Sequence, residues 1–205
     1  DPVKAGWKLV FSDEFDGNGI DWTRWAANET AKKNLSLDGK GFLQVKPSLN
    51  EKGELTAGSL RTKKKFKYGW FEARVRFTRE PGWWSFFFLY ADSVGNPMID
   101  GMEIDVYEDY YVGNKRENKD GKNILDHNLH CIVGGIFKSW NYPTAIPGRL
   151  KDFHTIACKW TPFEISYYLD GKLMASSANH SPHNSVTFDA VNHANGIAPL
   201  DARVG

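Results

Sequence analysis

The feature that most constrains this chain is an alternation of period two. In Gly69-Trp70-Phe71-Glu72-Ala73-Arg74-Val75-Arg76-Phe77 the apolar Phe71, Ala73, Val75 and Phe77 fall on one side, and Glu72, Arg74 and Arg76 on the other. Successive side chains of a strand point to opposite faces, so the pattern predicts a β-strand with one buried and one wet face. Comparable runs recur over 7–12, 43–46, 85–90, 102–107, 128–133, 154–160 and 164–169. Turn signals such as Leu37-Asp38-Gly39, Pro81-Gly82 and Asp170-Gly171 separate them. Almost no segment holds a 3.6-residue period for three turns. Short strands at this spacing predict an all-β sandwich or barrel and exclude βαβ units.

With 205 residues and no internal repeat or low-complexity linker, the chain is expected to form one domain over 1–205. After Ser176 the stretches His180-Ser181-Pro182-His183-Asn184 and Asn192-His193-Ala194-Asn195-Gly196 read as loops. A sandwich would end on a strand, so the C-terminus is expected to be clipped.

Charge narrows the partners. The 26 basic and 25 acidic residues give a net charge of +1, which leaves no electrostatic footprint for nucleic acid. The dense run Lys63-Lys64-Lys65-Phe66-Lys67 reads as a solvated turn or strand edge. No stretch approaches the roughly 20 apolar residues of a membrane helix. The opening Asp1-Pro2-Val3-Lys4 lacks the regions of a signal peptide, so the segment reads as a soluble mature domain. Cys131 and Cys158 sit in apolar runs and read as buried free thiols, one structural disulfide being the alternative. Eight Trp, eight Tyr and thirteen Phe supply flat rings on which the C–H face of a sugar stacks.

The chemistry concentrates in Asp100-Gly101-Met102-Glu103-Ile104-Asp105-Val106-Tyr107-Glu108-Asp109. On a strand, Glu103 and Asp105 share a face, and Met102, Ile104 and Val106 share the other. Glu108 breaks the parity. One extra residue, a β-bulge around Val106-Tyr107, would return it to the acidic face, as bulges beside active sites do. Three neighbouring carboxyls repel, so at least one should keep its proton to higher pH than an isolated Glu. A retaining glycosidase uses such a pair: one ionised carboxylate attacks the anomeric carbon, and a protonated carboxyl about 5–5.5 Å away protonates the leaving oxygen. Between them, Asp105 would hydrogen-bond Glu103 and keep the two glutamates' protonation states apart. Ordinary solvent-facing acids of a half-exposed strand would give the same triplet. The aromatics shift that balance: Trp83, Trp84, Phe86, Phe88 and Tyr90 precede the row, and Trp140 and Trp160 follow it, with two or three expected to face ligand.

On these residues the sequence resembles glycoside hydrolase family 16, the laminarinase, lichenase and agarase group. Glu103-Ile104-Asp105-Val106-Tyr107-Glu108 looks like the bulged version of its signature, one residue longer than the lichenase type. Further matches are Trp7-Lys8-Leu9-Val10-Phe11-Ser12-Asp13-Glu14-Phe15-Asp16-Gly17, Gly58-Ser59-Leu60-Arg61-Thr62, Tyr68-Gly69-Trp70-Phe71-Glu72-Ala73-Arg74, Ser85-Phe86-Phe87, Phe153-His154-Thr155, Trp160-Thr161-Pro162 and Tyr168-Leu169-Asp170-Gly171. The resemblance implies a concanavalin-like β-jelly-roll sandwich of two curved antiparallel sheets with a concave substrate cleft. It implies double displacement with Glu103 as nucleophile, Asp105 as assisting carboxylate and Glu108 as acid/base. Arg61, Trp160 and His130 match positions that touch sugar or face the cleft; Trp83, Trp84, Tyr90 and Trp140 are the further candidates for substrate binding.

No cofactor is implied as required. The resemblance allows one structural calcium, with Asp13, Asp16 or Gly41 as candidate oxygen sources, although no run has calcium-loop spacing. Ser59 stands where lichenase-type members carry a substrate-gripping Glu, and the loop over 111–126 is longer than in compact members. The expected partner is a polysaccharide, met by a monomer that is secreted, periplasmic or at the cell surface, without membrane insertion. The expected activity is endo-hydrolysis of β-1,3- or mixed-linkage β-1,3(4)-glucan. Three alternatives stand beside it. A hydrolase of agar, porphyran or carrageenan would need cations in the cleft, such as Arg74, Arg76 and Arg79. A non-catalytic carbohydrate-binding domain would need no acid pair. A transglycosylase would pass the same covalent intermediate to a sugar hydroxyl.

Overall fold

The computed structural model describes residues 2, 4–76, 84–91, 101–110, 123–133, 136–146 and 152–176. It forms two compact units. The smaller, 8–65, contains β1 (Trp25–Ala26), a one-turn α1 (Glu29–Lys32), β2 (Leu35–Leu37), β3 (Leu43–Val45), β4 (Ser48–Leu49), β5 (Leu55–Thr56) and β6 (Arg61–Thr62). They pair as three short ladders, β1 with β6, β2 with β3 and β4 with β5. Asn28 caps the helix by accepting the Ala31 N–H at 2.7 Å, as a short polar side chain does for an unsatisfied first-turn donor. Trp25 lies edge-on to Phe11 and stacked with Phe15, their centroids 5.4 and 5.8 Å away. The strand expected over 7–12 does not form. Side chains take its carbonyls instead of a ladder: Arg24 Nη2 donates to Ser12 O at 2.5 Å, and Lys64 Nζ to Val10 O at 3.5 Å.

The larger unit holds β7 (Gly69–Val75), β8 (Trp84–Tyr90), β9 (Gly101–Tyr110), β10 (Asn123–Val133), β11 (Ile136–Ile146), β12 (His154–Trp160), β13 (Ile165–Leu169) and β14 (Lys172–Ser176). They form two antiparallel four-stranded sheets, β11-β10-β9-β8 and β14-β13-β12-β7. The inward residues of both make one core: Leu89, Met102, Ile104, Val106, Tyr107, Leu125 and Leu129 from the first, Ile156, Cys158, Trp160, Ile165, Tyr167 and Leu169 from the second. Two sheets packed through one core are the sandwich that the alternation predicts. Asp170 and Gly171, with φ of 49° and 77°, turn β13 into β14, the left-handed pair that a tight hairpin requires. Cys131 and Cys158 are both buried, and no disulfide joins them. No helix among the described residues is long and apolar enough to cross a membrane.

Candidate active site

The site is built on β9. Its neighbours register normally up to Asp105, which pairs with Phe88 on β8 and Asn128 on β10. The next partners are Tyr107 with Phe87, and Glu108 with Phe86 and Asp126. Three steps along β9 therefore face two along each neighbour, which is the bulge. Val106 and Tyr107 both turn into the core, 0% and 5% exposed, and the parity resets after them. Glu108 thereby joins Glu103 and Asp105 on the outward face, as the sequence requires.

Register places Trp84, Phe86, Phe88 and Tyr90 of β8 on that face, and Asp126, Asn128 and His130 of β10. Glu108 is held from both sides: Trp84 Nε1 donates to Oε1 at 3.0 Å, and Asn128 Nδ2 donates to Oε2. Asn141 on β11 fixes Asn128 in turn, its Nδ2 donating to Asn128 Oδ1 at 2.5 Å and Asp126 Oδ1 at 3.1 Å. Asp105 is 2% exposed, with Oδ2 3.3 Å from His130 Nε2. That is an ion-pair separation without the alignment of a hydrogen bond. Its partner is thus the imidazole, a difference from the expected hydrogen bond to Glu103. His130 stacks almost parallel on Phe137 of β11, 16° between planes and 5.8 Å between centroids. Asp105, Glu108 and His130 bring one ligand atom each within 4.8 Å of one another.

The electrostatics follow from crowding and burial. Burial, then the Asp105 charge, push the Glu103 carboxyl up to about 7; Glu108 adds to this and His130 opposes it. Burial and then Asp105 also raise Glu108, while the donors Asn128 and Trp84 hold it back. Asp105 raises His130 above the ordinary imidazole value against the pull of burial, and both glutamates add to the rise. A row in which each proton depends on its neighbours titrates as a set.

Of the residues expected to touch sugar, Trp84, Tyr90 and His130 lie on the acidic face. Trp160 does not: it is 0% exposed on β12, in the core against Tyr68 and Phe71. Trp140 packs against the same core, in register with the buried Leu129. Both are corrected to core residues, because they share parity with inward neighbours. Arg61 is exposed on β6 of the smaller unit, in register with Ala26. Trp83 lies outside the described residues. Of the loop expected over 111–126, residues 123–126 belong to β10, and 111–122 lie outside the described residues. Asn128, Asn141, His127 and Phe137 went unnoticed in the sequence. The outward parity that Asn128 shares with His130 would have revealed it.

Asp13, one of the three candidate oxygen sources for a calcium, meets protein donors. Its carboxylate accepts the Phe15 N–H at 2.9 Å and the Trp25 Nε1–H at 2.7 Å, and faces Arg24 at 3.7 Å. Arg74 and Arg76 lie over the Phe153 ring, 4.2 and 5.0 Å from its centroid. They alternate with the core-packed Val75 and so leave β7 on the side away from the core, on the sheet without the acids. Arg79 lies outside the described residues.

A beta-glucanase of Rhodothermus marinus is 29% identical over 192 residues, covering 82% of this chain and 64% of its own length. This chain thus spans less than two thirds of that relative, and 52% of two further curated beta-glucanases. Among solved structures, the laminarinase from Rhodothermus marinus superposes with a TM-score of 0.72 at 25% identity, over 97% of this chain and 83% of that one. The kappa-carrageenase zobellia_236 from Zobellia galactanivorans shares the fold, with a TM-score of 0.61 at 24% identity over 80% of this chain and 70% of its own. Residues 17–197, most of the sequence, match the glycosyl hydrolases family 16, and the chain belongs to that family.

Proposed function

We propose that this chain is a retaining endo-hydrolase of β-1,3- or mixed-linkage β-1,3(4)-glucan. The observation that carries the reading is the bulge, which sets Glu103, Asp105 and Glu108 on one face beside a line of exposed rings. In the first step Glu103 attacks the anomeric carbon as its carboxylate. Glu108 gives its proton to the departing glycosidic oxygen, and a covalent glycosyl ester forms. In the second, Glu108 takes a proton from water, the water oxygen replaces Glu103 at the same carbon, and the sugar leaves with its original configuration. Asp105, paired with His130, supplies fixed charge beneath both glutamates.

Burial and mutual repulsion raise the pKa of both glutamates. Glu103 must be ionised to attack, yet in the free protein its carboxyl holds a proton up to about 7. Only the form with Glu103 ionised and the proton on Glu108 is productive, so activity falls both where the row is fully protonated and where it is fully ionised. Glucan is favoured over sulfated galactans because the cations that would meet sulfate, Arg74 and Arg76, lie on the other sheet. The curated relatives being beta-glucanases supports the same choice. A polymer of this kind is met outside the cytoplasm, which supports a secreted, periplasmic or cell-surface location.

The test is a reducing-sugar assay on laminarin, lichenan, agarose, porphyran and carrageenan side by side, with proton NMR of the first product. Release from laminarin or lichenan as the β-anomer is expected. Release from a galactan alone overturns the substrate, an initial α-anomer overturns the covalent mechanism, and no release from any overturns the enzyme reading.

A further inference from the structure

His127 is the most deeply buried imidazole among the described residues, 1% exposed, and the mechanism above does not use it. It lies on β10 between Asp126, the register partner of Glu108, and Asn128, the donor to Glu108. It is also the single β10 residue opposite the two-residue bulge. A bulge leaves ladder groups without their strand partners. A buried carbonyl so orphaned costs about 1–3 kcal/mol unless another donor reaches it.

His127 reaches it. Its Nδ1 is 2.6 Å from Val106 O, and its Nε2 is 2.9 Å from Thr144 Oγ1 on β11. A carbonyl only accepts, so Nδ1 carries the hydrogen. Burial pulls the ring down to about 4, so it is neutral, and Nε2 accepts from the Thr144 hydroxyl. The ring stacks on Tyr167 of the opposite sheet, 17° between planes and 4.6 Å between centroids. That tyrosine's hydroxyl donates to Asn128 O at 3.2 Å. One imidazole thus ties the bulge to β10, β11 and the facing sheet.

We propose that His127 is a positioning residue: it holds the Val106 carbonyl, fixes the bulge, and so sets the aim of Glu108. The inference rests on the proposed hydrolase reading for its kinetic consequence, but its geometric part does not. The charged and titratable groups that share the face with Glu108 are Glu103 and Asp105 on β9, Tyr90 on β8, and Asp126 and His130 on β10. A slackened bulge would carry the Glu108 carboxyl away from this crowd toward water.

Three variants test it. In His127→Asn the amide nitrogen takes the place of Nδ1 and keeps the bond to Val106. In His127→Gln the amide reaches the Nε2 position and loses that bond, and His127→Leu loses both. The measurements are kcat and KM on the glucan that wild type cleaves, and the pH titration of the Glu108 carboxyl by carbon-13 NMR. His127→Asn is expected within about 3-fold of wild-type kcat. The Gln and Leu variants are expected to lose about 10- to 100-fold in kcat with KM little changed, the scale of a misaimed catalytic group. Their Glu108 titration moves down toward the ordinary carboxylate range.

Equal behaviour of the Asn and Gln variants overturns the proposal, whether both keep activity or both lose it, because the two amides differ in which bond they keep. If the Leu variant fails to fold, the amide pair still decides. If wild type cleaves no glycan, the hydrolase reading falls, and the Glu108 titration across the variants still decides the role of His127.

Discussion

The two sheets of the larger unit turn very different surfaces away from their common core. On the β7-β12-β13-β14 sheet the outward groups satisfy one another. Trp70 Nε1 donates to Glu72 at 2.9 Å, Trp70 lies 4.7 Å from Tyr168, Lys159 pairs with Glu164, and two arginines cover Phe153. On the β8–β11 sheet, three carboxyls crowd one strand, two of them raised in pKa, while Trp84, Phe86 and Phe88 stand 61%, 42% and 37% exposed. Both surfaces come from the same alternation of side chains. One is arranged for stability, and the other keeps repulsion and bare rings that folding alone would remove. Such departures from local satisfaction mark functional surfaces.

The strongest way to break this contrast is to remove the proposed nucleophile. Glu103→Ala should lower turnover on laminarin or lichenan by about 10⁴-fold or more, as loss of a covalent nucleophile does. Its circular dichroism should match wild type, because Glu103 lies outside the core cluster. Residual activity above a trace on every glucan would remove Glu103 from the chemistry.

The next effect separates charge from shape. Asp105 raises both glutamates, and His130 lowers both. In wild type kcat/KM should be bell-shaped in pH, with an acid limb where the fully protonated row loses its first proton. Asp105→Asn should move that limb to lower pH, and His130→Gln should move it to higher pH. Shifts in the same direction would show that the limb does not report the charges of this row.

The row should also weaken the fold at high pH. Glu103 has a folded-state pKa above its unfolded value of 4.5, so its contribution to stability is fully present below 4.5 and lost as pH rises through about 7. Glu103→Gln removes the ionisation, so its melting temperature should exceed wild type at pH 8 by more than at pH 5. An increment independent of pH would mean that the row does not strain the folded state.

How much of this was readable before the coordinates depended on how local its cause is. The strand over 154–160 matches β12 to the residue, because a neighbour on each side and a buried face make its alternation binding. The segment over 7–12 alternates equally well but gains no ladder, and periodicity cannot supply a partner. No strand is predicted at β11, where Pro143 interrupts the run. As the edge of its described sheet, paired only to β10, it tolerates a proline that a central strand would not. The bulge was readable from the broken parity of Glu108. Parity would likewise have sent Trp160 inward with Ile156 and Cys158. The clamp by His127 was not readable, since its partners Val106, Thr144 and Tyr167 come from three other strands.

The smallest expected effect is the control on the quiet surface. Arg74 and Arg76 share the Phe153 ring from neighbouring outward positions, so losing one leaves the other stacked. A cation–π contact at an exposed site is worth about 0.5–1 kcal/mol. Arg74→Ala should therefore lower stability in urea by no more than that and leave kcat, KM and the pH limbs unchanged. A carrageenan hydrolase that used this arginine to meet sulfate would behave otherwise, losing activity on carrageenan while its melting curve hardly moved. The same variant thus measures how passive the second sheet is and whether any polyanion is read there.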